Sequence, residues 1–183
     1  MKKIILFSGK AENGKTTAAE LLKNILESEG QSVVITRYAY YLKDLAKRYC
    51  NWDGQKDEAG RRLLQVLGTD IIRQKLNKPN FHVGRICEDI EICQDCVDYV
   101  LIDDTRFENE IYYPKAMFGD KVVAIRVIRT TPDFHSHLSE EQLNHRSETA
   151  LDNFKGFDFV IEAKNIDELK SAMQELSKSI QEE

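Results

Sequence analysis

The sequence predicts an α/β protein built on a five-stranded parallel sheet with helices on both faces. Two patterns predict it: short apolar runs recur along the chain, and stretches with helical spacing of apolar residues stand between them. Strands buried on both faces read as near-continuous apolar runs, and parallel neighbours need a crossover connection, usually a helix. A glycine-rich turn between the first run and its helix adds a third sign, because open sheets of this kind gather ligands at the carboxyl ends of their strands.

The elements follow in order. Lys3 to Ser8 is the first strand, and Thr16 to Ser28 the first helix, with Ala18, Ala19, Leu21, Leu22, Ile25 and Leu26 at helical spacing and Gly30 closing it. Ser32 to Thr36 is the second strand. A largely helical stretch runs from about Tyr40 to Leu76, broken by the turn Asn51-Trp52-Asp53-Gly54, and another helix covers Val83 to Cys93. Asp98 to Ile102 forms the third strand and ends in Asp103-Asp104; Lys121 to Ile128 forms the fourth. Ser139-Glu140-Glu141-Gln142 fits a capping box and predicts a helix to about Leu151. Phe157 to Ile161 is the fifth strand. Asn165-Ile166-Asp167-Glu168 opens a last helix whose Ile166, Leu169, Met173, Leu176 and Ile180 form one apolar stripe.

The 183 residues suit a single domain. Within it, residues 40–96 are expected to form a helical substrate-binding insertion, and residues 130–148 a lid-like segment. A net charge of −5 with 31% charged residues argues against a nucleic acid polymer as partner, since such binding leaves a basic footprint. The apolar run after Lys2-Lys3 stops at Ser8-Gly9, too soon for an export signal, and no apolar stretch reaches bilayer length. The expected location is the cytoplasm, without a membrane. Cys93-Gln94-Asp95-Cys96 is a CxxC, but no second pair of metal-binding residues accompanies it and it precedes a strand rather than following one. Reduced thiols are the expectation for it and for Cys50 and Cys87.

Gly9-Lys10-Ala11-Glu12-Asn13-Gly14-Lys15-Thr16 matches G-x-x-x-x-G-K-S/T in full. Gly9 and Gly14 let the backbone turn so that successive N–H groups point at phosphate oxygens, and the positive end of the following helix adds to that anion site. Lys15 reaches the β- and γ-phosphates, the Thr16 hydroxyl ligates magnesium, and Thr17 completes the loop's run into the helix. From average residue usage the pattern arises by chance in under about one in a hundred chains of this size. Here an apolar strand precedes it and an amphipathic helix follows, the context a P-loop requires. The expected cofactors are ATP and Mg2+. A carboxylate is needed opposite Thr16, and the third strand supplies Asp103 and Asp104 at its end.

The next residues, Thr105-Arg106-Phe107-Glu108-Asn109-Glu110, carry a resemblance. With Asp104 they match D-x-R-F-x-N-E, and Ser8 to Thr17 resembles S-G-K-x-x-S-G-K-D/T-T. Ala39-Tyr40-Tyr41-Leu42-Lys43 is similar to A-D-P-L-K, Arg62 to Thr69 to R-x-L-L-Q-x-x-G-T, and His145-Arg146-Ser147-Glu148 to H-x-S-E. Together these blocks resemble the phage-type deoxynucleoside monophosphate kinases, P-loop enzymes of the nucleoside monophosphate kinase build. The resemblance implies transfer of the γ-phosphoryl group of ATP to a deoxynucleoside 5′-monophosphate, a small-molecule nucleotide, by a chain compatible with a homodimer. It also points to Gln65 and His145 as substrate-site members. Tyr40-Tyr41 departs from the family's Asp-Pro, and Glu12 adds a negative charge to a loop that usually carries small or basic residues there.

Two phosphorylated molecules demand cations beyond Lys15, and arginine suits phosphate because its planar fork offers two parallel hydrogen bonds. Arg37 at the end of the second strand and Arg106 after the carboxylates stand where ligands gather. Lys43, Arg62, Arg73 and Arg129 are further substrate-binding candidates, with at least one of Arg61 and Arg62 expected to solvate the surface. Arg146 is expected to close over the phosphates from the lid, joining Lys15, Asp104 and Arg106 as catalytic residues. A kinase of another small phosphorylated acceptor is the near alternative, since animal phosphomevalonate kinases share a similar P-loop and D-x-R arrangement. A GTP switch protein is disfavoured: Asn77-Lys78-Pro79-Asn80 lacks the aspartate of N-K-x-D and lies before the carboxylate strand.

Overall fold

The computed structural model describes residues 1–55, 57–132 and 136–182. Strands β1 (Lys3–Ser8), β2 (Val33–Thr36), β3 (Tyr99–Thr105), β4 (Val122–Arg129) and β5 (Phe159–Ala163) form one sheet in the order β2-β3-β1-β4-β5, every neighbouring pair parallel. Side chains alternate along each strand between two cores. Ile5, Phe7, Leu101 and Ile125 face helices α1 (Lys15–Ser28) and α8 (Ile166–Glu182). Ile4, Leu6, Ile102 and Ala124 face α4 (Phe81–Cys93) and α5 (Asn109–Phe118). Helices therefore cover both faces, and Ile4 to Phe7 are wholly buried.

The segment between β2 and β3 is helical. It contains α2 (Ala39–Tyr49), α3 (Glu58–Gln65) and α4, with a π-helical stretch, Val66–Lys75, running on directly from α3. The widened turns were not foreseen; the sequence pattern predicts only a helix there. Gly68 lies in this stretch against α2, where a Cβ would sit 2.8 Å from Leu42 Cδ2. Glycine lets the two elements approach this closely without displacing the Leu42 side chain.

Two expectations need correction. Helix α5 fills the connection between β3 and β4, where no helix is predicted, and Pro114 stands inside it. Proline has no N–H, so the carbonyl of residue 110, four positions earlier, loses its helical partner. The Tyr38 hydroxyl supplies the missing bond, donating to the Glu110 carbonyl at 2.7 Å. Between β4 and β5, the predicted helix from Ser139 to Leu151 is two short ones, α6 (Glu140–Asn144) and α7 (Arg146–Thr149). The capping box forms as expected, with Ser139 accepting from the Gln142 N–H. His145 then leaves helical geometry, at φ −62° and ψ 144°, and its ring accepts the Ser147 N–H as the cap of α7. Residues 133–135 of the lid-like segment lie outside the described residues.

Replacing Tyr38 by Phe leaves the buried Glu110 carbonyl without a donor, which should cost about 1–3 kcal/mol. For a chain of this size that lowers Tm by roughly 2–4 °C per kcal/mol. Thermal denaturation of Tyr38→Phe checks it; an unchanged Tm would mean that another donor already satisfies that carbonyl.

Candidate active site

The glycine-rich turn links β1 to α1 and has the backbone the motif demands. Gly9 sits at φ +152°, and a Cβ there would come within 2.5 Å of the Val127 carbonyl, so no other residue fits. The Lys15 ammonium donates to the Gly9 and Lys10 carbonyls at 2.8 and 2.7 Å. Burial, then the positive charge of Arg106, push its pKa down to about 7. Glu12 also has positive φ, at 63°. Its carboxylate turns away from the loop's centre to accept from Ser136 Oγ at 2.9 Å and the His137 N–H at 3.1 Å. Partial burial works to raise its pKa, but these hydrogen bonds hold it below the ordinary value.

The carboxylates owe their places to a bulge. Leu6 pairs with Ile102 but Ser8 pairs with Thr105, so β3 carries one extra residue beside Phe7, and such a bulge re-aims neighbouring side chains. Asp103 faces the phosphate loop: Thr16 Oγ1 donates to its Oδ2 at 2.6 Å. Arg37 grips the same carboxylate with Nε and Nη2 at 2.6 and 2.7 Å. Burial raises the Asp103 pKa, but these bonds outweigh it and leave it depressed. Asp104 instead accepts the N–H groups of Tyr38 and Ala39 at 2.8 and 3.1 Å, holding the first turn of α2 against β3. Its pKa is raised, mainly by burial.

Beyond the strand, Arg106 donates through Nη1 to Glu148 at 2.6 Å and to the Gly9 carbonyl at 3.2 Å. Glu148, on α7, also accepts the N–H of Ala11 at 2.8 Å. The turn that carries Arg106 is pinned by Glu110, whose Oε2 accepts the N–H groups of Arg106 and Phe107 at 2.6 and 3.1 Å. Arg73 pairs with the other oxygen of Glu110, donates to the Pro79 carbonyl at 2.7 Å and stacks over the Phe107 ring at 4.1 Å.

These groups surround a cavity of about 550 Å³ lined by the phosphate loop, the end of β3 and the helical segment. A second cavity, of about 230 Å³, lies against Asn13, Gly14 and Thr17 and is walled by Arg129, Asn165 and Ile166. The two share Glu12. One loop thus separates a large, charged compartment from a smaller one.

Comparison with known proteins agrees with this arrangement. The family model described as "Deoxynucleotide monophosphate kinase" matches residues 23–173. The chain belongs to the deoxynucleotide monophosphate kinase family. It is a P-loop kinase, a phosphotransferase that binds nucleotide. A solved structure of a mutant Mycobacterium tuberculosis APS kinase, CysC, shares the fold at 17% identity, over 99% of this chain and 97% of that one, with a TM-score of 0.54. The structure called APE1195 does so at 15% identity, over 98% and 97%, with a TM-score of 0.52.

In this family member, Lys15, Thr16, Arg37, Lys43, Gln65, Arg73, Asp103, Asp104 and Arg106 line the large cavity, with Ala11 and Glu12. Asn13, Gly14, Thr17 and Arg129 line the smaller one. Gly9 turns the loop, and Lys10 reaches out of it to Asp152 at 3.0 Å. Three expected site residues, Arg62 and His145 as substrate contacts and Arg146 as a catalytic residue, are placed elsewhere. Arg62 is exposed on α3 and its neighbour Arg61 lines the cavity instead, one position round the helix. Arg146 is exposed and lines neither cavity; from α7 it is Glu148 that reaches the loop. His145 spends its ring on capping α7, with Nδ1 2.9 Å from Ser147 Oγ.

The reading of the sequence passed over His82 and Gln142, which also line the cavity, and gave no role to Glu110. For Glu110 a signal existed, as it closes the D-x-R-F-x-N-E block. The cysteines are free, and no cluster of three or more His, Cys, Asp or Glu suited to a metal occurs among the described residues.

Glu110 and Arg73 are 3% and 10% exposed in their side chains. Removing one partner of so buried a pair strands the other charge and should cost about 3–5 kcal/mol. Chemical denaturation of Glu110→Ala tests this. A loss below about 1 kcal/mol would place the pair in the class of exposed ion pairs and remove it as the anchor of the Arg106 turn.

Proposed function

We propose that this kinase transfers the γ-phosphoryl group of ATP to the 5′-phosphate of a deoxynucleoside monophosphate. The observation that carries the reading is the single cavity in which Lys15 and the Thr16–Asp103 pair share walls with Arg106, Arg61 and Lys43 and with a helical pocket of nucleoside size. The smaller cavity across the loop suits the adenosine of ATP, with the triphosphate lying along the loop amides between them. In this reading residues 40–96 are the acceptor-binding insertion and residues 130–148 the lid. The cytoplasm, where ATP is found, is the compartment it fits, and the free thiols agree with it.

An oxygen of the acceptor phosphate attacks the γ-phosphorus as the bond from that phosphorus to the β-bridging oxygen breaks, and ADP leaves with the bonding pair. The attacking oxygen is already ionised at neutral pH, so no general base is needed. Positioning and charge therefore carry the catalysis. Lys15 spans the transferring group. Arg106, after exchanging Glu148 for phosphate, balances the charge that spreads over the γ-oxygens. Arg61 and Lys43 suit the acceptor phosphate. The Thr16 hydroxyl and Asp103 carboxylate are hard oxygen donors that would hold magnesium; such an ion would supply neutralisation of the charge developing on the transferred group. Arg37 holds Asp103 ionised and aimed at Thr16.

A coupled assay of ADP production across deoxynucleoside, nucleoside and other small monophosphates tests the reading directly. We expect ATP turnover that depends on a deoxynucleoside monophosphate. Turnover with only a non-nucleotide phosphate, or with none of the panel, sinks it.

Lys15 gives a second expectation. Its free-state pKa of about 7 must rise when phosphate is bound beside it, so binding takes up a proton above pH 7. By linkage, ATP affinity is fully expressed below pH 7 and weakens as pH rises above it, by up to about tenfold per unit until the bound-state pKa is reached. Titration calorimetry at pH 6.5 and 8.5, in buffers of differing ionisation heat, reads both effects. Affinity and proton uptake independent of pH would show that Lys15 keeps its charge in the empty loop.

A further inference from the structure

One wall of the large cavity carries a polar side chain that phosphoryl transfer does not use. His82, the second residue of α4, is 3% exposed and lines the cavity. Neither Nδ1 nor Nε2 has a hydrogen-bond partner among the described residues. Buried polar groups in native proteins are nearly always satisfied, so an imidazole with both nitrogens idle in a cavity wall calls for a ligand. The Gly68 backbone is near enough to pull weakly on the ring but does not reach hydrogen-bond geometry with it. His82 instead packs edge-on against the Phe81 ring, centroids 5.3 Å apart, and faces the π-helical stretch, with Nε2 3.8 Å from where a Cβ on Gly68 would stand.

The surroundings indicate what the ligand is. The part of the cavity built by the helical segment is walled by Leu42, Leu64 and Gly68, with Gln65 and Thr69 adding polar edges and Phe107 contributing from the turn after β3. Apolar faces with a few polar groups at the rim suit a flat heteroaromatic ring. The phosphates belong at the other end, with Lys15, Thr16 and Arg106. Burial, then the charge of Arg73, push the imidazole pKa down to about 4, against a weaker opposite pull from the Gly68 backbone. At neutral pH the ring is therefore uncharged, with one N–H donor and one bare acceptor nitrogen. A neutral reader suits an uncharged base and would be wasted on a phosphate. A π-helical turn beside it fits as well, since such turns recur at functional sites.

We propose that His82 is a specificity-determining residue that hydrogen-bonds the edge of the acceptor's nucleobase, in the compartment formed by α2, the π-helical stretch and α4. This rests on the acceptor being a nucleoside monophosphate. The ring of His82 replaces water at a carbonyl, amino or ring-nitrogen position of the base, while Leu42 and Leu64 cover its faces. Gln65 and Thr69 are placed to serve a second edge position.

The test compares wild type with His82→Phe, which keeps a planar ring and removes both nitrogens, and with His82→Gln, which restores a donor and an acceptor. Steady-state kinetics over acceptors of differing base should show the acceptor KM rising about tenfold in His82→Phe, the order a lost hydrogen bond commands. The ATP KM should stay within about twofold, preference among bases should flatten, and His82→Gln should recover part of the loss. In the wild-type enzyme, the ring-nitrogen NMR signals of His82 should shift on adding the acceptor and hold still with ATP alone. This measurement decides the matter should a variant fail to fold. Unchanged base preference and KM in His82→Phe, or a His82 signal indifferent to acceptor, overturns the assignment while leaving the kinase reading intact. A wild-type enzyme inert toward every nucleoside monophosphate takes both readings down together.

Discussion

A cavity made to hold polyphosphates has to keep its own cations satisfied while no phosphate is there. An unpaired charge away from water is expensive, and Lys15, Arg37, Arg73 and Arg106 all converge on one partly buried space. Each has an internal acceptor. Lys15 bonds the Gly9 and Lys10 carbonyls, Arg37 takes Asp103, Arg73 takes Glu110 and Arg106 takes Glu148. Exposure separates these pairs into two kinds. Arg73 and Glu110 are almost wholly enclosed, and the backbone of the Arg106 turn hangs on the same carboxylate, so that pair belongs to the frame. The side chains of Arg37 and Arg106 remain 31% and 22% exposed. Those two stand where an arriving anion or cation can compete for their partners.

The sheet decides which carboxylate does what. In a regular strand Asp103 and Asp104 would point to opposite faces, one toward the phosphate loop and one into the α4–α5 core. The extra residue in β3 breaks that alternation just past Ile102. Asp103 reaches Thr16 while Asp104 tucks under the first turn of α2. One irregularity thus links the phosphate-loop side of the cavity to its helical side, since α2 opens the helical segment. The same junction is tied a second time by Tyr38, whose N–H goes to Asp104 and whose hydroxyl goes to the Glu110 carbonyl.

Much of this was legible in the sequence because it rests on local rules. The strands are apolar runs, the phosphate loop needs glycine at fixed places, and the caps at Ser139 and Asn165 follow from side-chain chemistry within a few residues. What escaped prediction depends on distant partners. Pro114 argues against a helix until Tyr38, 76 positions away in sequence by the numbering, is seen to satisfy the carbonyl it leaves bare. His145 fits a continuous helix by periodicity, yet its ring caps a new one. Arg61 and Arg62 differ by one step of about 100° round a helix, and only the packing of α3 tells which turns inward. His82 carries no motif at all. Its significance lies in the absence of bonds around it, which no sequence pattern records.

Glu12 and Glu148 show how the β4–β5 connection and the phosphate loop share one set of charges. Glu12 is costly in two ways: it adopts a left-handed backbone that favours glycine, and it adds a negative charge to an anion site. Both costs make sense once its carboxylate is seen holding Ser136 and His137, because a glycine there would relax the backbone but release the start of α6's approach. Glu148 makes the opposite connection, carrying a carboxylate from α7 onto the Ala11 N–H and Arg106. The first contact faces the segment before α6 and leaves the loop amides untouched; the second uses a loop amide and a cavity arginine that phosphate would want. Phosphate therefore meets Glu148 as a rival and Glu12 as a bystander. Charge placement alone then makes the α7 contact the one that must yield when the cavity fills, while the attachment at Ser136 and His137 keeps the segment before α6 tethered to the loop.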